Sequence, residues 1–124
     1  MVRETILLVG ASNNHEKFGY IVLENLLNRG FDVVPINPNE EQILGVKAYK
    51  TITEYVNANP AKKITWVNFV VPPAVTVKLL EEVKLLKLTH VWFQPGSESE
   101  VAIEYCKKND IRCLHHACIM NNYE

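Results

Sequence analysis

Gly10-Ala11-Ser12-Asn13-Asn14 ends an apolar run, and helical periodicity resumes at Lys17. Glycine permits a tight turn with close backbone approach, and Ala11 and Ser12 keep bulk away from a ligand. A helix starting just beyond such a turn points unpaired N–H groups at an anion. Lys17, close to that start, adds a positive charge. The chemistry in view is phosphate binding; the plainer alternative is a generic strand-to-helix turn with a solvent-exposed lysine. The dinucleotide fingerprint G-x-G-x-x-G is absent, because the next glycine after Gly10 is Gly19.

Three further segments carry similar hints. Pro35-Ile36-Asn37-Pro38 places an uncharged Asn37 where NAD-binding sheets usually hold an acidic ribose partner. An Asp there would repel a phosphorylated ribose, whereas an Asn amide can donate to it; the alternative is a rigid turn with an Asn cap. Val70-Val71-Pro72-Pro73 presents a donor-poor surface that can pack against a ring or an aliphatic arm, or simply opens the next helix. Gln94-Pro95-Gly96 offers an amide side chain and a flexible glycine, or nothing more than a turn.

The candidates for covalent or acid–base chemistry are fewer. Cys106, Cys113 and Cys118 show no metal spacing, so no metal site is expected. Cys106 on a helix face and Cys113 in a strand read as core residues. Cys118, just past the last strand, could exchange with a disulfide, or pack as a small apolar residue under the C-terminal turn. His115-His116 has no identifiable partner that would make either ring a general base, and no catalytic residue is assigned.

The elements that must position these residues follow from the periodicity. Strands are expected at Thr5 to Val9, Phe31 to Asn37, Thr65 to Val71, His90 to Phe93 and Ile111 to Leu114. Helices are expected at Phe18 to Asn28 (closed by Gly30), Thr51 to Ala58 (N-cap Thr53), Ala74 to Leu86, and Ser97 to Lys108. In the last of these, Ser97 and Glu100 would form a capping box. Val46 to Tyr49 reads as a small edge strand or an irregular crossing. Five strands separated by helices, several uninterruptedly apolar, predict a doubly wound, mostly parallel α/β sheet. The result is a Rossmann-like α/β/α sandwich over residues 1–124 as one domain, with ligands outside the carboxyl ends of the strands.

Thirteen basic residues against fourteen acidic ones give a net charge of −1, which argues against nucleic acid as the partner. Met1 to Val9 is too short to span a membrane and lacks the features of a signal peptide, so a cytoplasmic location is expected. Apolar residues near the C-terminus would suit self-association.

"GASNNHEKFGY", "PINPNEEQILGVKAY", "VVPP" and "WFQPGSESE", followed by "CIM", resemble in order the small stand-alone CoA-binding domain family. That family is similar in turn to the N-terminal CoA-binding domain of the succinyl-CoA synthetase alpha subunit. The resemblance implies coenzyme A or a CoA thioester as ligand, with no catalysis of its own. It places Gly10, Ala11 and Ser12 at the phosphates with Lys17 and Phe18 nearby, and Asn37 and Pro38 at the adenosine end. Val71, Pro72 and Pro73 would line the path to pantetheine, and Gln94, Pro95 and Gly96 its far end. "HHACIM" departs from the family, which more often has Asn or Arg in place of one of the histidines. Two other functions remain: a CoA-dependent thiol-disulfide or acyl-transfer enzyme using Cys118, and an NAD(P)-binding redox sensor.

Overall fold

The computed structural model describes residues 5–122. In chain order they form β1 (Thr5–Val9), α1 (Phe18–Asn28), β2 (Asp32–Ile36), β3 (Gln42–Ile43), β4 (Val46–Lys47) and α2 (Ile52–Ala58). There follow β5 (Ile64–Phe69), α3 (Pro73–Leu85), β6 (His90–Phe93), α4 (Glu100–Lys108), β7 (Arg112–Leu114) and α5 (Ile119–Asn122).

Five strands make one parallel sheet in the order β2-β1-β5-β6-β7. The chain steps from β1 to β2 through α1, then crosses back over β1 to build the remaining strands on the other side. Right-handed crossovers tie this reversal of direction to a change of sheet face. The core divides accordingly. Ile6 and Leu8 of β1 pack with Val22, Leu23 and Leu26 of α1 and with Ile119 of α5. Leu7 and Val9 pack on the opposite face with Ile52 of α2, Leu80 of α3 and Cys106 of α4. Because both faces are covered, β1 reads as an unbroken buried run rather than an alternating one. The sheet is the Rossmann-like α/β arrangement expected, and its direction changes between β1 and β5, where such sheets open a crevice.

Boundaries differ from expectation where turn chemistry intervenes. Thr51, not Thr53, caps α2: its hydroxyl accepts from Glu54 N at 3.0 Å. Thr53 instead docks α2 on α3, donating its N–H to Glu82 Oε2 at 2.7 Å. Helix α4 begins at Glu100 with Ser99 as its cap, so the expected Ser97–Glu100 capping box does not form. Ser97 is consumed earlier: its N–H closes on the Gln94 carbonyl at 2.9 Å around Pro95 and Gly96, the latter at φ +98°. Pro followed by a left-handed Gly is the type II turn signature, and it delays the helix by one more turn. Val46–Lys47 pairs with Gln42–Ile43 as a short antiparallel hairpin, followed by a parallel bridge from Tyr49 to Ile36. The short helix α5 had no counterpart in the expected elements. Among the described residues, no helix is long and apolar enough to cross a membrane.

Candidate functional site

A cavity of about 600 Å³ opens at the carboxyl ends of β1, β2 and β5, at the point where the sheet changes direction. Its floor is the ends of the strands themselves. Gly10 N donates to the Ile36 carbonyl at 3.1 Å, and Val70 N to the Val9 carbonyl at 2.9 Å, so the ladder runs to the rim.

Two glycines let α1 approach that rim. Gly10 lies at φ +99°, and a Cβ there would meet Val71 Cγ1 at 2.7 Å. Gly19, in the first turn of α1, is buried, and a Cβ there would fall 2.1 Å from the Gly10 carbonyl oxygen. No side chain larger than hydrogen fits at Gly19. The pair Gly10 and Gly19 thus performs the close strand–helix approach that dinucleotide folds obtain from a tighter glycine spacing. Gly19 was visible in the sequence, but only as the glycine that broke the usual spacing.

The start of α1 is unfilled by the protein's own side chains. Its N-cap is Lys17, which makes no side-chain capping bond, and the first turn holds no acid. The first turn closes when the Tyr20 and Ile21 amides reach the Lys17 carbonyl, so the Phe18 and Gly19 amides precede it. Lys17, Phe18 and Gly19 all border the cavity, as does Ser12. The loop between Ser12 and Lys17 is tied by Asn14, which accepts from Glu16 N at 3.0 Å and from Lys17 N at 3.0 Å. Asn13 clasps it to the hairpin segment, donating to Glu40 and to the Gln42 carbonyl, the latter at 3.1 Å.

At the end of β2, the Asn37 side chain is already committed. Its Nδ2 donates to the Ala11 carbonyl at 2.8 Å and its Oδ1 accepts from Asn39 N at 2.8 Å. Asn37 therefore joins the first strand end to the second. Beside it, Asn37 N donates to the Tyr49 carbonyl at 2.9 Å, which brings the next residue, Lys50, to the cavity wall. Lys50, Thr51 and Ile52 were not anticipated as site residues; the irregular path through the hairpin hides their approach from periodicity. The third wall is apolar: Val70, Val71, Pro72, Val75 and Leu79. Among the described residues, Lys17 and Lys50 are the only charged side chains lining the cavity, and no Asp, Glu, His or Cys borders it.

The anticipated residues thus divide. Gly10, Ser12, Lys17, Phe18, Asn37, Pro38, Val71 and Pro72 meet at this cavity. Ala11 is wholly buried beneath it in the α1 face of the core, and Pro73 opens α3 behind it. Gln94, Pro95 and Gly96 do not border it. Gln94 does not present its amide to the mouth as expected, because that amide is fully buried. Its Oε1 accepts from Ile119 N at 3.1 Å and its Nε2 donates to Asn68 Oδ1 at 2.7 Å. The backbone amide of Ile119 can only donate, so it fixes which way Gln94 points, and Gln94 in turn fixes Asn68. Asn68 Nδ2 is left buried without a partner among the described residues.

The remaining reactive groups lie elsewhere. Cys118 precedes the Gln94-bound Ile119 and does not border the cavity. Cys106 and Cys113 are adjacent on the α4 face; burial, with Cys113 next to it, pushes the Cys106 thiol up to about 12. Burial also raises Cys113. His115 and His116 face each other with their Nδ1 atoms 2.5 Å apart, and His116 sits at φ +60°.

The family model for the CoA binding domain matches residues 4–124. A stretch of 79 residues is 33% identical to an ADP-forming acetate–CoA ligase of Methanocaldococcus jannaschii, covering 64% of this chain and 10% of that protein. A stretch of 50 residues is 48% identical to the alpha subunit of ADP-forming acetate–CoA ligase II of Pyrococcus furiosus, covering 40% of this chain and 11% of that one. The chain therefore spans about a tenth of the length of these curated relatives. Among solved structures, a conserved hypothetical protein from Pyrococcus furiosus superposes with a TM-score of 0.88 at 38% identity, covering 95% of this chain and 97% of that one. A hypothetical protein from Pyrococcus horikoshii gives a TM-score of 0.83 at 31% identity, covering 94% and 78% of the two chains. With nearly its whole length matched by one family model and its fold shared by such neighbours, the chain belongs to the CoA-binding domain family.

Proposed function

We propose that this chain binds coenzyme A, free or as a thioester, in the cavity at the ends of β1, β2 and β5, and that binding is its role. The observation that carries the reading is the wall chemistry: an uncapped α1 start with Ser12 and Lys17 on one side, a donor-poor apolar wall on the other, and no carboxylate among the described residues. The first side suits a pyrophosphate, held by the Phe18 and Gly19 amides and the helix dipole. Ala11 keeps that approach free of bulk, and Asn37 and Pro38 face the adenosine end. The second side suits a long, mostly neutral pantetheine arm packed on Val71 and Pro72, with Pro73 rigidifying the turn. A lining without histidine, cysteine or carboxylate among the described residues supports binding over chemistry at this cavity. A cytoplasmic setting, where thiols stay reduced, suits Cys106 and Cys113, which lie beside each other as thiols.

Calorimetric titration of the purified chain tests this. Coenzyme A should bind with micromolar affinity and NAD much more weakly, because NAD brings no neutral arm for the apolar wall. Tighter binding of NAD than of coenzyme A would overturn the proposal.

A further inference from the structure

Two cations border the cavity among the described residues, and they stand in different places. Lys17 is at the start of α1, where a pyrophosphate belongs. Lys50 is held at the end of β2 by a backbone lattice: Tyr49 N donates to the Pro35 carbonyl at 3.0 Å, and the Tyr49 carbonyl accepts from Asn37 N at 2.9 Å. In doubly wound sheets the end of the second strand is where a ribose sits. Asn37, the residue there in sequence, has both its Oδ1 and one of its Nδ2 hydrogens committed to the protein. It is neutral and serves as a positioning residue for the two strand ends. Thr51 is also neutral: its hydroxyl accepts from Glu54 N and has a single proton to donate. A charge-bearing contact to a ribose substituent at this end falls to Lys50.

We infer that Lys50 is a specificity-determining residue, selecting adenine nucleotides whose ribose carries a phosphate monoester. This rests on the coenzyme A reading above and adds to it a residue and a discrimination. A carboxylate at this strand end would select an unmodified ribose by accepting its hydroxyl hydrogens. Among the described residues no carboxylate borders the cavity, and an exposed ammonium takes its place. An ammonium is a point charge with three donors and binds a phosphate monoester without a fixed orientation. Its exposure makes the contact sensitive to salt.

The test is a titration of coenzyme A and of 3′-dephospho-coenzyme A into the wild type and into Lys50→Gln, Lys50→Arg and Lys17→Gln. The wild type should prefer coenzyme A by roughly tenfold, the scale of one charge-assisted contact. Lys50→Gln should remove that preference by weakening coenzyme A alone, Lys50→Arg should keep it, and Lys17→Gln should weaken both ligands together. Raising the salt concentration should shrink the preference in the wild type and leave Lys50→Gln unchanged. If the wild type binds both ligands equally, or if Lys50→Gln weakens them by the same factor, Lys50 does not select the monoester, and coenzyme A binding as such survives. If the wild type binds neither ligand, both readings fall.

Discussion

At Gly19 a single hydrogen atom decides whether the cavity exists. The Gly10 carbonyl oxygen would lie 2.1 Å from any Cβ placed there, and that oxygen is fixed by a strand end and cannot swing aside. Gly19→Ala must therefore push α1 off the rim. The expected cost is at least about 2 kcal/mol, the range of overpacking in a closed core. Urea unfolding should show the midpoint fall, and the same variant should bind coenzyme A far more weakly because the Phe18 and Gly19 amides move with the helix. A Gly19→Ala protein with unchanged stability would mean that the two backbones are not in contact.

At the scale of elements, the buried amide chain of Ile119, Gln94 and Asn68 joins α5 to the central strands. Gln94→Leu keeps the volume but leaves the Ile119 N–H and the Asn68 Oδ1 without that partner in a buried position. We expect a loss of at least about 2 kcal/mol in denaturant unfolding. Coenzyme A affinity should change little at temperatures where the variant remains folded, since Gln94 does not border the cavity. The same chain shows the limit of reading elements from sequence. Strand positions were legible because Thr5–Val9 and Ile64–Phe69 are rich in apolar, β-branched and aromatic residues. The glycine turn, Lys17 and the double proline were legible as strand ends. The direction of Gln94 was not, because a glutamine after a strand looks the same whether it faces a ligand or an interior amide. Lys50 was hidden for a related reason: its position depends on backbone bonds from Tyr49 to β2 that leave no periodic trace.

For the molecule as a whole, the buried acids of high pKa set its behaviour in alkali. Burial holds the Cys106 thiol neutral up to about 12, against 9.0 when unperturbed. Burial, helped by the Asp32 carboxylate, raises Tyr55 in the same direction. In the unfolded chain these groups give up their protons first, so the unfolded state binds fewer protons as the pH climbs. Their contribution is complete below the unfolded values and, for Cys106, disappears progressively from about pH 9 toward about 12. Urea midpoints should accordingly fall between about pH 8 and about pH 10. Cys106→Val, which removes the titrating group while keeping an apolar side chain in α4, should show a shallower fall. An identical slope in the two proteins would assign the alkaline loss to other groups.

Among the described residues, every one that borders the cavity lies between Val9 and Leu79. Polypeptides are made from the amino end, so the ribosome has joined the whole lining before it reaches β6. At that moment β5, a central strand of the finished sheet, still has one bare edge. The part of the gene that encodes the cavity's walls is thus translated ahead of the part that encodes their support.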